Sequence, residues 1–492
     1  MEKRYVVAYD VGTSGVKIIF FSLDGVVLAS AIETYPLYTT ENNHAEQDPE
    51  AYWKACCRGT KRISADSGFC GTDCAGMAFG TQWKSIIPVD SSGSVLRKGI
   101  IWMDKRAGKQ AKQLNDAFNE ALFCESDYWP KLAWFRESEP DIYDKSAFIL
   151  EADSYLKWKA TGVYASDITN CYTRSYNALK QQFFDEVLRI ANLDKDKFPP
   201  ICQATDLVGH VTEQAAEELG LNAGTPVFGG CCDIPAMAIG SGCCARGDAH
   251  AYLGTSGWMG YIAPHDPKVV YVSPLDKEND VSFYGLGASV GASTNWVIDR
   301  LYADEKRKFG KGIWQIVEEE LKQVQPASDR LLAAPWFYGS RPPFSSGKAR
   351  GVFLNLNGNH SRAHMLGATF EGFCYIMRQN LELLNSRIRE PLKSLTVCGG
   401  GANNTFWMQA MANVLKIPVK VPRDAESTGA IGVAYCALIG LGMAESFDTI
   451  KKHITIDKVH YPDATAFAEY DFMFAQYEKL YPAFQDMFDI MN

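Results

Sequence analysis

An apolar run, Tyr5-Val-Val-Ala-Tyr9, ends on a single acidic residue, Asp10, and turns through Gly12-Thr13-Ser14 into a second apolar run, Val16 to Phe21. β-Branched and aromatic residues fill both runs, and an Asp24-Gly25 turn follows. This is the pattern of an antiparallel hairpin, with its acid placed where the first strand ends. A Gly-Thr-Ser turn offers backbone N–H groups and two hydroxyls to an anion. Asp10 beside it can hold Mg²⁺, and Lys17 can supply positive charge. A second turn of this kind, Gly254-Thr255-Ser256, follows the run Ala251-Tyr-Leu, and a glycine cluster, Gly399-Gly400-Gly401, follows the strand-like segment Ser394 to Cys398. Three strand-to-glycine junctions spread along the chain predict a nucleotide site contributed by two halves. None is a P-loop or a dinucleotide fingerprint, because the glycines lack the required spacing and the Gly-Lys-Ser/Thr ending.

A chain of 492 residues is expected to form two large domains or three smaller ones. Strand and helix patterns alternate through both halves, so the class is α/β. Strand-like runs fall at 4–10, 15–22, 26–32 and 75–79. A helix is expected from Asp48-Pro49, with Asp as cap and Pro in the first turn. Another is expected from near Asp104 to Phe118. A turn-and-helix pattern covers Thr212 to Gly220, and a strand starts at Pro226. The second half begins near Ala245 to Asp248, with a strand at 249–253 and helices at 288–301, 361–386, 404–415 and 427–441. Residues 445–492 read as a helical tail. The expected division is therefore 1–246, 247–445 and 446–492. The recurrence of strand, Gly-Thr-Ser turn and strand at 5–19 and 249–261 hints at an old duplication.

A net charge of −9 opposes nonspecific nucleic-acid binding, which needs a basic surface. No apolar stretch is long enough for a membrane span, and the first residues show no signal-peptide pattern. The 14 cysteines are irregularly spaced, and Cys70-Gly-Thr-Asp-Cys74 has no second ligand pair to complete a zinc site. The expectation is a cytoplasmic protein with reduced thiols.

Two further segments carry chemistry. Gly229-Gly-Cys-Cys-Asp233-Ile-Pro235 puts an acid between a strand and an Ala-rich helix. Asp233 there is either a helix cap or a poorly solvated general base. Gly80-Thr-Gln82-Trp83-Lys84-Ser85 and Trp102-Met-Asp104-Lys-Arg106 gather aromatic faces and polar groups at strand ends. Sugars need that mixture, although two buried tryptophans and a helix cap would read the same way.

Taken in order, these segments resemble the FGGY carbohydrate kinases over almost the whole chain, and most closely their xylulokinase-like members. The marks are Asp10 to Lys17, Glu46-Gln-Asp-Pro-Glu50 with Trp53, and Trp102-x-Asp104-x-Arg106. Pro130-Lys-Leu-x-Trp-Phe135, Gly229-Gly-x-x-Asp233 and Leu253-Gly-Thr-Ser256 follow. Ala368-Thr-Phe-Glu-Gly372, Gly399-Gly-Gly-Ala-x-Asn404 with Trp407-x-Gln409, and Glu426 to Gly432 complete the set. The resemblance implies two ribonuclease-H-like domains, as in actin and hexokinase, with ATP and Mg²⁺ in a cleft and a hinge near Ala245 to Asp248. It implies γ-phosphoryl transfer to a sugar hydroxyl, with Asp233 as general base and Asp10 on the metal side.

By the same resemblance, Gly12, Thr13, Ser14 and Lys17 face the phosphates from one domain, and Gly254, Thr255 and Ser256 from the other. Gly291, Asn295, Gly400, Gly401 and Asn404 contact nucleotide. Gln82, Trp83, Lys84, Trp102, Asp104 and Asp233 line the sugar pocket. A homodimer is the assembly implied. The chain departs from the family at Trp83-Lys84, where xylulokinases usually carry Met-His, and at Ile234, where an Asn is common. It departs again at Gly339-Ser-Arg341, where Gly-Glu-Arg is expected. These changes touch sugar choice: D-xylulose is the first expectation, with another ketose, a polyol or an aldonate such as gluconate as the alternatives. A non-catalytic actin-like nucleotide switch is the reading from a different class, and a retained Asp233 opposes it.

Overall fold

The computed structural model describes residues 4–40, 44–170, 181–264, 275, 279–285, 290–340 and 346–492. Arg341 and the first two residues of the helix expected over 288–301 lie outside them. The chain forms two compact units that are not contiguous in sequence. The first is chiefly Met1–Cys244 with Gly429–His453; the second is Ala245–Ala263, Ser282–Thr428 and Ile454–Asn492.

The first unit is built on a six-stranded sheet. Its strands are β1 (Tyr5–Val11), β2 (Gly15–Ser22), β3 (Val27–Thr34), β4 (Cys74–Thr81), β5 (Leu207–His210) and β6 (Pro226–Cys232), in the order β5-β6-β4-β1-β2-β3. β1 pairs antiparallel with β2, setting Asp10 opposite Lys17, and parallel with β4. Every residue of β4 is buried, as expected of a parallel strand covered on both faces. Helix α1 (Pro49–Ser67) starts where its signals say: Asp48 Oδ1 accepts from Glu50 N at 3.0 Å. It stops at Gly68, whose φ of 72° a side chain would resist. Helices α2 (Gly108–Phe118), α3 (Ala152–Thr161) and α4 (Asp233–Gly240) follow. A core of Tyr5, Val7, Tyr9, Ile18, Trp53 and Phe79 holds α1 to the sheet. Each fully buried Val, Ile or Phe of this kind contributes roughly 1.5–3 kcal/mol.

The second unit repeats the plan. Its strands are β7 (Ala249–Leu253), β8 (Gly257–Pro264), β9 (Asn279–Gly285), β10 (Leu395–Cys398), β11 (Val419–Pro422) and β12 (Ile456–His460), in the order β9-β8-β7-β10-β11-β12. β7 pairs antiparallel with β8 and parallel with β10, β10 is parallel to β11, and β12 closes the edge antiparallel. The arrangement β2-β1-β4-β6-β5 therefore recurs as β8-β7-β10-β11-β12, the repeat that the two strand–turn–strand segments hinted at. Helices α5 (Val290–Leu301), α6 (Arg362–Asn385), α7 (Thr405–Leu415), α8 (Thr428–Gly440) and α9 (Phe467–Met491) complete the set used below.

Three expectations change. α2 begins at Gly108, not near Asp104, because Asp104 and Arg106 are tied to each other in a buried turn. The tail is not wholly helical: Ile456–His460 is an edge strand, too polar to be read as one. From Gly429 onward α8 groups with the first unit, so a boundary at 445 does not follow a compact body. Its small residues explain this: a side chain at Gly432 would run into the Ala236 backbone of α4, and one at Gly80 into Val433.

Candidate active site

Three neighbouring strands of the first sheet, β1, β4 and β6, run parallel and end together. Val11 and Cys232 both stand opposite Thr81, so Asp10, Gln82 and Asp233 emerge side by side from the carboxyl edge. Ligands of open α/β sheets bind at such edges. Asp10 is half-buried. Desolvation pushes its carboxyl up to about 6, against the opposing pull of Lys17. No donor among the described residues hydrogen-bonds either oxygen, and a side chain at Gly429 would collide with them. A desolvated carboxylate with open lone pairs fits a Mg²⁺ ion, and Asp10 is the residue that would hold it.

The turn after Asp10 is closed by Gly12 N donating to Gly15 O at 3.0 Å, and the exposed residue at its tip is Ser14. A polar lattice holds it from behind. Gln47 Nε2 donates to Thr13 O (2.7 Å), and Trp102 Nε1 donates to Thr13 Oγ1 (2.9 Å). The Thr13 hydroxyl in turn donates to Gln82 Oε1 (3.3 Å), whose Nε2 reaches Gln47 Oε1 and the Tyr52 hydroxyl. Thr13, Gln82 and Trp102 thus spend their polar atoms on shaping the loop. These bonds tie together the three residues expected to face phosphate and sugar. Asp104 does change an expectation. It is fully buried, and its two oxygens accept from Ala45 N, Arg106 N, Arg106 Nε and Arg106 Nη2 at 2.6–3.0 Å. A saturated carboxylate of this kind positions Arg106 and presents nothing to a ligand.

Lys84 occupies the left-handed region, with φ of 63°. Its N–H donates to Glu151 Oε2 (3.2 Å), its carbonyl accepts from the buried Lys131 Nζ (2.7 Å), and its own Nζ is ion-paired with Asp127. The same Nζ lies 5.0 Å from the Trp83 ring centre, a cation–π contact. Burial alone would raise Asp127, but Lys84 and the Cys124 amide outweigh it and hold the carboxyl below its ordinary value. Asp233 is the first residue of α4 and half-buried. The cap position falls on Cys232, so Asp233 is not the helix cap.

In the second unit, Gly254 N donates to Ser256 O (3.0 Å), and Gly291 N, at the start of α5, donates to Thr255 O (3.2 Å). A Cβ at Gly291 would come within 2.6 Å of Gly254 O, so only glycine permits this approach. Asn295 sits one turn further along α5 and is exposed. A side chain at Gly401 would strike Leu253, whereas one at Gly400 would meet open space, which leaves its backbone approachable. Asn404 caps α7, its Oδ1 accepting from Trp407 N at 2.8 Å, so that oxygen is not offered to nucleotide.

Residues 5–240 match the N-terminal domain of the FGGY family of carbohydrate kinases, and residues 249–441 match its C-terminal domain. The chain belongs to the FGGY family of carbohydrate kinases. These enzymes are ATP-dependent phosphotransferases acting on sugars, with a two-domain fold of the actin and hexokinase kind. A xylulose kinase of Staphylococcus epidermidis is 27% identical over 98% of this chain and 97% of its own. A gluconokinase of Bacillus subtilis is 25% identical over 95% and 93%. The solved structure of ligand-bound xylulose kinase from Lactobacillus acidophilus superposes with a TM-score of 0.82 at 22% identity, covering 99% and 100% of the two chains. Within this FGGY kinase, sequence reasoning missed Gln47 and Asp127. Gln47 lies inside the quoted Glu46–Glu50 mark, but Asp127 is 43 residues from Lys84 and carries no local signal.

Proposed function

We propose that this chain transfers the γ-phosphoryl group of ATP to a hydroxyl of a neutral ketopentose, with D-xylulose and D-xylulose 5-phosphate as the leading pair. The observation that carries the reading is the emergence of Asp10 and Asp233 from the two strands that flank β4 in parallel, with Gln82, at the end of β4, between them. Asp233 takes the proton of the attacking hydroxyl, whose oxygen then bonds to the γ-phosphorus as the bond to the β-phosphate oxygen breaks and ADP leaves. Phosphoryl transfer is mainly positioning and charge stabilisation, so the base adds a factor of about 10²–10⁴ rather than the whole rate. The tip of the Gly12-to-Ser14 turn, at the exposed Ser14, faces the phosphates. Thr255, Gly291 and Gly400 form the nucleotide half in the second unit. Asp10 would hold Mg²⁺, which would supply charge neutralisation on the phosphate oxygens.

The pair at Trp83-Lys84 supports a neutral acceptor over an aldonate. Lys84 already has a carboxylate, Asp127, and a substrate acid would have to displace it. A coupled ADP-release assay with Mg·ATP against D-xylulose, D- and L-ribulose, glycerol, erythritol, xylitol, gluconate and L-fuculose tests the reading. A ketopentose is expected to lead; gluconate in first place would move the specificity to an acidic substrate and leave the kinase chemistry in place.

A further inference from the structure

The strand that delivers Asp233 is irregular. The register of β6 against β4 shifts between Phe228 and Cys231, and Gly230 has φ of 71°. A side chain at Gly229 or Gly230 would run into the backbone of Gln203 or Phe79. The helix that follows, α4, starts without a side-chain cap. A bulged strand and an uncapped eight-residue helix are poor anchors for a residue that must hold its place closely.

A buried polar arm takes over that task. Thr169 Oγ1 accepts from Cys232 N at 2.7 Å, the peptide N–H immediately before Asp233. The same hydroxyl donates to Asp167 Oδ1, which also accepts from Thr169 N at 2.8 Å, while Asn170 Nδ2 donates to Asp167 Oδ2. Asp167 N in turn donates to Asp153 Oδ2 (3.2 Å), which is ion-paired with Lys157 Nζ at 2.8 Å. Lys157 Nζ completes the arm by donating to Gly229 O at 3.1 Å, so β6 is held within its bulge at Gly229 and just past it at Cys232. Asp153, Lys157, Asp167, Thr169 and Asn170 are all essentially inaccessible to solvent. None of them carries chemistry of its own at the sheet edge, and their burial is costly unless every group is satisfied.

We propose that Thr169, oriented by Asp167, is a positioning residue for Asp233. Its hydroxyl fixes the peptide N–H immediately before Asp233, from which the α4 start and its carboxylate project. The direction of the bonds fits: the hydroxyl gives its proton to Asp167 Oδ1 and keeps a lone pair for Cys232 N. A displacement of about 1 Å at a reacting group can cost about 10²-fold in rate. The inference rests on the assignment of Asp233 as the base.

The test compares Thr169→Val, Thr169→Ser, Asp233→Asn and the double variant Thr169→Val/Asp233→Asn, using the fastest acceptor of the panel above. Thr169→Val is expected to lower kcat by about 10- to 100-fold while leaving the KM for ATP nearly unchanged. Thr169→Ser keeps the hydroxyl and is expected to restore most of the rate. Because Thr169 acts through Asp233, adding Thr169→Val to Asp233→Asn should change the residual rate by less than about twofold. Near-normal kcat in folded Thr169→Val, with Asp233→Asn inactive, overturns the positioning role and leaves the base intact. Full sugar-dependent turnover in Asp233→Asn overturns the base assignment itself. If Thr169→Val does not fold, Thr169→Cys, with its weak acceptor, takes its place and the same two outcomes decide.

Discussion

A lysine held at φ of 63°, as Lys84 is, costs roughly 1–2 kcal/mol that glycine would not. The three contacts that hold it there, from Glu151, Lys131 and Asp127, are what make the strain sustainable. Lys84→Met leaves Asp127 unpaired and should shift the ratio of kcat/KM between two neutral sugars by about tenfold, with the KM for ATP changing less than about twofold. A selective ATP defect in steady-state kinetics would place Lys84 elsewhere. At this scale the sequence was partly legible. Asp10 and Asp233 stand out in the sequence because each is an acid directly after an apolar run, although a helix cap reads the same way at Asp233. Asp104 misleads for a physical reason: its saturation by Ala45 and Arg106 exists only once the chain has folded. Thr169 went unread as well, although Asp167-Ile-Thr169 has the spacing of an acid that bonds its own backbone two residues on.

The element least expected from sequence precedes the strand Leu332–Ala334. Ala327, Ser328, Asp329 and Arg330 all have φ between 47° and 63°, a left-handed turn without a glycine. Glu371, inside the long helix α6, clamps it. Its carboxylate accepts from Ala327 N (2.9 Å), Ser328 Oγ (2.6 Å) and the Tyr470 hydroxyl (2.8 Å). Glu371→Ala orphans three buried donors and should lower unfolding stability by about 2–4 kcal/mol in urea titration. Burial pushes Glu371 from 4.5 to about 7, outweighing the three bonds that pull it down. Because the folded value lies above the unfolded one, its contribution is complete below pH 4.5 and fades as pH rises through 7. Desolvation acts in the same direction at Asp10, lifted to about 6, and at Asp167, where burial and then Asp153 lift it to about 8. Unfolding midpoints should therefore fall between pH 5 and pH 8, and Glu371→Gln should flatten part of that fall; an unchanged slope would remove Glu371 from it. The mark Ala368 to Gly372 was legible as a helix segment, but its purpose depends on a turn 43 to 44 residues away.

At the scale of the molecule, two units share one strand order, and each presents a Gly-Thr-Ser hairpin. That plan was legible because tight turns after apolar runs are local signals. The assignment of α8 to the first unit was not, because it depends on which surface accepts its glycines. Among the described residues no helix is long and apolar enough to cross a membrane. If the sugar and nucleotide sites are divided as proposed, hydrogen exchange should separate them. A non-hydrolysable ATP analogue should slow exchange at 254–256, 291–295 and 399–404, and a sugar alone at 82–84 and 233–237. Protection of the first unit only, by either ligand, would reject the division. The most direct measurement is sugar-stimulated ADP release by Asp233→Ala beside the unaltered protein, with ATP binding followed separately. Loss of the sugar-dependent rate by about 10²-fold or more, with ATP still bound, is the outcome expected of a general base. Sugar-dependent release at a near-normal rate in Asp233→Ala would contradict it.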